Sequence, residues 1–355
     1  MNSDERHSSS AGRDTAGRDP TDDHAADDDA ADDGTGDGDA AGATVSVVVP
    51  SFNHARFVAQ TLRSIFRQTH APAELLVMDD GSTDGSPQII ARELRDCPFP
   101  CELIARANRG LCATLNEGLA RATRGRNFAY LGSDDLWLDG FLAARVAALA
   151  ARPRAALAYG HTYLIDEAGR AFDCTADWAA YADGDARAML LETIAPMSPT
   201  VVYRRDALAR HGWDERARLE DYDLYLRLAA DGDFAFDPRP LAAWRRHGRN
   251  TSRDQRMMLD EQLAAQRRQL HTLGLSEREL ARLHARLKFA RAEDFLRLGH
   301  KADALRLALS NLSGARSPRT VARLAARLLI PFPLVRAHKR RAARRAAERY
   351  GDFHV

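Results

Sequence analysis

The sequence predicts an α/β fold around a mixed, mainly parallel sheet, followed by a helical extension. Two observations carry this prediction. Short apolar runs alternate with amphipathic stretches, the pattern of βαβ units. Three of those runs also end in clusters of Asp, Asn and Ser, at the strand ends where open α/β sheets present polar groups to ligands.

The first run, TVSVVVP at 44–50, is rich in valine and bounded by Pro50, so it reads as a strand buried on both faces. A loop, SFNHA, leads to a stretch with Phe57, Val58, Leu62, Ile65 and Phe66 on one stripe, which predicts a helix. Leu75–Met78 predicts a second strand running into DDGSTDGS, and a helix follows over 87–95. Cys101–Ala105 reads as a strand, Leu111–Ala122 as a helix, and Asn127–Leu131 as a fourth strand ending in GSDD. Beyond 135 the pattern loosens: a helix at Phe141–Ala151, a strand at Ala155–Tyr159, a loop entering a strand over 193–203, and a helix at Asp221–Asp231. From 253 onward the segments Met258–Leu270, Ser276–Leu298 and Ala302–Leu312 all read as helices, the second opened by a Ser276-x-x-Glu279 capping box. This extension is expected to serve as packing or homodimer surface.

The net charge of +1 is a cancellation: residues 1–42 carry −10, residues 316–355 carry +9, and the middle carries +2. The acidic segment 1–42 has no aliphatic side chain beyond Ala after Met1, too little to offset ordering entropy, so it reads as a disordered leader. There is no apolar run of spanning length and no apolar signal region near the N-terminus. Cys97, Cys101, Cys112 and Cys174 are too few for a disulfide scaffold and lack zinc spacing, which implies free thiols in a reducing, cytoplasmic setting. The basic tail includes LLIPFPLV flanked by Arg within 321–349. It suits peripheral contact with an anionic membrane, at the inner face of the plasma membrane; a solvated basic helix is the plain alternative. No aromatic interleaving accompanies the charge, so nucleic acid is not an expected partner.

The three strand-end clusters are Pro50-Ser51-Phe52-Asn53, Asp79-Asp80-Gly81-Ser82 and Ser133-Asp134-Asp135. A strand-end Asp can accept hydrogen bonds from a base imide or a ribose hydroxyl. A carboxylate pair is a common protein contribution to a divalent cation shared with phosphates. Singly, each cluster could be only a turn or a helix cap. Together, at three successive strand ends, they point to a nucleotide-diphosphate ligand.

At this point the residues resemble a family. VSVVVPSFNHARFVAQTLRSIFRQTHAPAELLVMDDGSTDGS, then NRGLCATLNEGL (108–119), GSDDLW (132–137), LEDYDLYLRL (219–228) and WRRHGRNTS (244–252), resemble the family 2 glycosyltransferases of bacteria. Those enzymes have the GT-A (nucleotide-diphospho-sugar transferase) fold, a Rossmann-like sheet. The resemblance implies a catalytic domain over 43–252, with the helical extension at 253–315 and the basic tail at 316–355. It implies inverting, metal-dependent transfer from a nucleotide-sugar donor, UDP-sugar favoured, to a saccharide or lipid-linked acceptor in surface polysaccharide or glycolipid assembly. Pro50, Ser51, Asn53, Asp79 and Asp80 would line the nucleotide site, with Arg109 and Gly110 near the diphosphate. Asp135 would ligate Mg2+ or Mn2+, Asp134 would hold the ribose or support the ligand, and His247 would contact phosphate or metal. Arg245 and Arg246 would pair with the diphosphate, and Trp137 would pack beneath the sugar. Asp221 would be the general base, with Glu220 beside it and Ser198 bordering the acceptor. One departure stands out: the family often has Asp where this chain has Gly132.

Two other classes weigh less. A sugar-phosphate nucleotidylyltransferase would need a Gly-rich loop where SFNHA stands, and a silent binding module would not need Asp80, Asp135 and Asp221.

Overall fold

The valine-rich run folds as expected: Val45–Ser51 forms strand β1, buried at every residue. The computed structural model describes residues 44–248, 250 and 254–353, so the acidic leader expected at 1–42 lies outside the described residues. β1 pairs in parallel with β2 (Glu74–Asp79) and β4 (Asn127–Tyr130), and β2 pairs in parallel with β3 (Cys101–Ala105). The crossovers are helices α1 (Val58–Phe66), α2 (Ser86–Glu93) and α3 (Leu111–Arg121). Alternation along β1 divides the core between the two sheet faces. Val47 and Val49 pack with Leu62 and Ile65 of α1, whereas Val48 packs with Leu115 of α3. Gly118 lets α3 sit close, because a Cβ there would lie 2.8 Å from Val48 Cγ1.

The second half of the sheet is mixed. In the order β3-β2-β1-β4-β8-β6-β9-β5, the added strands are β5 (Leu136–Trp137), β6 (Ala155–Ile165), β8 (Val202–Arg204) and β9 (Asp233–Arg245), while β7 (Ala171–Cys174) pairs with β6. β8 is antiparallel to both β4 and β6, and β9 runs parallel to β6. β9 is not among the strands expected from the sequence, and it contains Pro238 and Pro240, which cannot donate to a ladder. The ladder absorbs them at a register shift between Gly160 and Thr162. Its far end matters most for the site. β5 pairs antiparallel to β9, Leu136 opposite Ala243, which sets the Ser-Asp-Asp turn alongside Arg245.

Helix α4 (Phe141–Ala151) packs on the sheet through Phe141, Leu142 and Leu149, and the later segments form α5 (Arg187–Leu191), α6 (Arg205–His211) and α7 (Glu220–Asp231). The extension comprises α8 (Gln255–Arg268), α9 (Glu277–Leu298) and α10 (Lys301–Ser310), and the tail comprises α11 (Pro318–Leu329) and α12 (Phe332–Tyr350). The Ser276–Glu279 capping box is formed at the start of α9. α8 docks on α7 through Gln266, whose Nε2 donates to the Tyr222 hydroxyl at 2.8 Å. After α12 the chain returns to the sheet: Phe353 N donates to Gly169 O at 2.8 Å, and Tyr163 meets the Phe353 ring at 4.8 Å.

Candidate active site

The strand-end loops are stapled to one another. Asn53 adopts a left-handed conformation (φ 55°). Its amide donates to Ser82 Oγ at 2.8 Å, and its Oδ1 accepts from Thr83 N at 2.8 Å. Asp79 Oδ1 accepts from Ser82 N at 2.9 Å, so the Asp-Gly-Ser segment is a turn as well as a candidate binding loop. Ser51 and Asp79 lie opposite each other in the ladder. Ser51 Oγ and Asp79 Oδ2 are buried with no hydrogen-bond partner among the described residues, two polar atoms at the sheet's carboxyl end that suit a polar ligand. Pro50 is buried beneath them.

Asp80 is engaged by the protein itself. Its carboxylate accepts from Arg109 N at 2.9 Å, from Gly110 N at 2.8 Å and from the Arg106 guanidinium. It therefore shapes the Asn-Arg-Gly turn and fixes Gly110 (φ 89°) at the start of α3. Arg106 was not singled out from the sequence; nothing local marks it.

The Ser-Asp-Asp turn divides its carboxylates differently from the sequence expectation. Asp135 points inward, its Oδ1 accepting from Arg245 N at 2.8 Å, and burial together with the charge of Asp134 pushes its carboxyl well above the ordinary range. Asp134 faces the histidines. Its Oδ2 lies 2.8 Å from His247 Nε2 and its Oδ1 lies 3.7 Å from His54 Nδ1. One donor atom from each of His54, Asp134 and His247 falls within a 4.8 Å group. Gly132 adjoins this arrangement, since a Cβ there would lie 3.0 Å from Asp134 Oδ1 and 3.4 Å from Asp135 Oδ2. An aspartate in the family's usual place would crowd both carboxylates.

Two expected contacts lie elsewhere. Trp137 is 2 % exposed, stacked on Phe141 at 4.4 Å and donating from Nε1 to Pro199 O at 2.7 Å, so it is a core residue and not a floor for the sugar. Arg245 is buried too. Its Nε donates to Asp134 O at 2.8 Å and its guanidinium lies over Phe57 at 5.0 Å, so it braces the turn instead of reaching a diphosphate. Arg246, the next residue, lines the cleft.

That cleft, about 1560 Å³, is lined by Arg109, Gly110 and His247 together with Glu220, Asp221 and Ser198. Glu220 and Asp221 open α7, where the helix dipole and free N–H groups favour carboxylates. Asp221 Oδ1 accepts from Tyr222 N at 2.7 Å, and Glu220 Oε1 lies 3.4 Å from the Tyr130 hydroxyl. Burial, then the charge of Asp221, pushes Glu220 up to about 8; burial raises Asp221 to about 6. Asp223, by contrast, is consumed structurally by Arg227 and Arg268 at 3.0 and 3.1 Å.

The pair has a consequence for stability. Raised acid pKa values mean that the folded chain holds protons which the unfolded chain has already released, so this contribution is lost as pH rises from the ordinary carboxylate range toward about 8. Glu220→Gln should therefore raise the denaturant midpoint relative to wild type at pH 8.5 and change it little at pH 4.5. Equal shifts at both pH values would contradict the assignment.

Part of the cleft lining comes from the extension, through Leu287, Ala290, Arg291 and Asp294 of α9. Thr193 is held in a left-handed conformation (φ 58°), unfavourable for a β-branched residue. Arg291 Nη2 of α9 donates to Thr193 Oγ1 at 2.8 Å, Arg286 Nη2 donates to Glu192 Oε1 at 2.5 Å, and Gln266 Nε2 donates to Leu191 O at 3.1 Å. None of these contacts has a local sequence signal, because each joins residues far apart in the chain.

An α/β sheet with polar loops at its carboxyl ends, a carboxylate–histidine group and a second carboxylate pair defines the class of open-sheet folds that take ligands at their strand ends. Residues 46–212, just under half of the chain, match the profile of the family described as "Glycosyl transferase family 2". It is 28 % identical over 170 residues to an uncharacterized glycosyltransferase of Nostoc sp., covering 47 % of this chain and 52 % of that protein. It is 34 % identical over 93 residues to the putative teichuronic acid biosynthesis glycosyltransferase TuaG of Bacillus subtilis, 26 % of this chain and 36 % of that one. The chain thus spans about half the length, or less, of these curated relatives. Among solved structures, the mannosyltransferase PcManGT from Pyrobaculum calidifontis, in complex with GDP-Man and Mn2+, superposes with a TM-score of 0.54 at 20 % identity over 86 % of this chain and 87 % of that one. TarS 1-349 of S. aureus, in complex with UDP-GlcNAc, gives 0.55 at 16 % identity over 88 % and 93 %. The fold is GT-A.

Proposed function

We propose that this protein transfers a sugar from a nucleotide-diphosphate donor to an acceptor hydroxyl with inversion at the anomeric carbon. The observation that carries the reading is that His247, of the carboxylate–histidine group, and Asp221, of the carboxylate pair, line the same cleft. The nucleotide lies against Pro50, Ser51, Asn53, Asp79 and Asp80, with Arg109, Gly110 and Arg246 toward the diphosphate. A UDP or GDP sugar fits the complexes of TarS and PcManGT. Asp134 and His247 hold a divalent cation, Mg2+ or Mn2+, and Asp135, bonded to the Arg245 amide, fixes the turn that presents them. Their carboxylate and imidazole donors suit such an ion, which when bound offsets charge on the diphosphate.

Asp221 takes the proton of the attacking hydroxyl, and its raised pKa makes it a stronger base than an ordinary carboxylate. A single displacement inverts the configuration, as in one-step glycoside chemistry. The acceptor occupies the cleft between the sheet and α9, bordered by Ser198. Kinship with TuaG supports a cell-envelope saccharide or its lipid-linked precursor. Titrating the purified chain with a panel of UDP-, GDP- and dTDP-sugars, with and without Mn2+, tests the reading: one sugar nucleotide should bind, and binding of none would overturn it.

A lipid-linked acceptor also gives the tail a use. No helix among the described residues is long and apolar enough to cross a membrane. The elbow between α11 and α12 nevertheless exposes Leu329 (82 %), Ile330 and Leu334, and α12 carries Arg336, Lys339, Arg340, Arg341, Arg344 and Arg345. Exposed leucines beside clustered cations match the surface of an anionic bilayer. Vesicles containing phosphatidylglycerol should co-sediment the protein, pure phosphatidylcholine should not, and a Leu329→Ser, Leu334→Ser double variant should stay in the supernatant. Equal sedimentation with both lipids would count against this surface.

A further inference from the structure

We propose that His54 is a third protein ligand to the cation, and that the resulting two-imidazole, one-carboxylate set makes the site prefer a transition-metal ion over magnesium. The inference rests on the donor-site reading above and deepens it.

The starting point is a deficit of oxygen donors. Gly132 supplies no carboxylate where the family often has one, and Asp135 is turned to the Arg245 amide. Asp134 is then the one acidic member of the group formed with His54 and His247. Its two oxygens are shared: Oδ2 lies 2.8 Å from His247 Nε2, and Oδ1 lies 3.7 Å from His54 Nδ1. Two ligands at about 2.0–2.2 Å from one ion are separated by at most about 4.4 Å, so these two spacings suit common coordination.

His54 is also held in place. The left-handed Asn53 turns the chain before it, and its own amide donates to Ser86 Oγ at 3.1 Å. Its Nδ1 lies 2.9 Å from Ser133 Oγ, a hydrogen bond that ligation through Nδ1 would replace, and its ring meets the His247 ring edge-to-face at 5.3 Å. His247 is itself stacked on Phe57 at 5.2 Å. Both imidazoles thus converge on Asp134 from elements fixed independently, the β1–α1 loop and the end of β9.

The donor chemistry then decides the ion. Mg2+ favours oxygen ligands in near-octahedral geometry and keeps several waters, whereas imidazole nitrogen favours later first-row ions. For a mixed nitrogen and oxygen site, affinity rises from Mn2+ to Co2+.

Isothermal titration of the full-length protein with CoCl2, MnCl2 and MgCl2, without nucleotide, tests this directly. Wild type should bind Co2+ more tightly than Mn2+, and both at least about tenfold more tightly than Mg2+. The visible absorption of the Co2+ form should report nitrogen ligation. His54→Ala should weaken Co2+ and Mn2+ binding by about tenfold or more, as loss of a metal-supporting group commonly does, and leave Mg2+ within about twofold. His54→Gln, which keeps a polar group toward Ser133, should behave like His54→Ala.

Equal loss for all three ions, or an unchanged Co2+ spectrum, would assign His54 a structural role and overturn the inference. So would wild-type affinity for Mg2+ equal to that for Mn2+. Failure of the donor-site reading has a different signature: ordered metal binding with no sugar nucleotide bound under any condition.

Discussion

Asp221→Asn should lower glycosyl transfer by about 10²- to 10⁴-fold, the usual contribution of a positioned general base, while the affinity for the nucleotide sugar stays within about twofold. The separation of effects follows from where the residue sits. Asp221 opens α7 and lines the cleft, whereas the loops proposed to hold the nucleotide follow β1 and β2. The substitution is nearly isosteric, and the 2.7 Å bond from Tyr222 N can be accepted by the amide oxygen. Because burial raises Asp221 to about 6, the wild-type rate should climb as pH rises through about 6, and this limb should vanish in the variant. The measurement pairs single-turnover transfer with equilibrium binding of the donor. Transfer surviving near the wild-type rate would remove Asp221 from the role of base, and loss of donor binding would relocate it to the nucleotide site.

The second large effect is on stability. Trp137→Ala should cost about 3–5 kcal/mol, typical for truncating a buried aromatic residue, and a sizeable share of the 5–15 kcal/mol that holds an ordinary domain. The ring stacks on Phe141 at 4.4 Å, its indole nitrogen satisfies Pro199 O at 2.7 Å, and its backbone amide donates to Ser64 Oγ at 3.2 Å. Removal empties part of the core and leaves a buried carbonyl without a donor. Denaturant unfolding reads the loss, and donor and acceptor KM values of the folded fraction at low temperature should be unchanged. A raised KM with an unaltered midpoint would return Trp137 to the sugar.

The first half of the sheet was legible because its information is local. Each βαβ unit from β1 to β4 reveals itself in a short window, through valine runs and a 3.6-residue stripe. The mixed half was harder. β5 has two residues, and β9 carries two prolines whose tolerance depends on a register shift against β6. The candidate site divides in the same way. Asn53, Asp79, Asp80, Asp134 and the Glu220–Asp221 pair stand at strand or helix ends, where position alone suggests chemistry. The different fates of Asp134 and Asp135 do not show in GSDD. They depend on an amide 110 residues away, delivered by the end of β9. His54 lies in the loop SFNHA, where one histidine carries no signal until the fold brings His247 beside it. Arg245 and Trp137 carried the residue types of ligand contacts, and their burial could not be read without β5 and β9 in place.

The arginine grip on Glu192 and Thr193 bears on how such folds can diversify. Arg286 and Arg291 belong to α9, yet the segment they hold borders the carboxylate pair. A chimaera that imports the helices of a relative without the matching 190–198 segment would leave Glu192 and Thr193 without their partners, and Thr193 would relax from its left-handed conformation. On the proposed assignment of this cleft to the acceptor, its preference would be inherited as a two-part cassette, one part in the 190–198 segment and one part in α9.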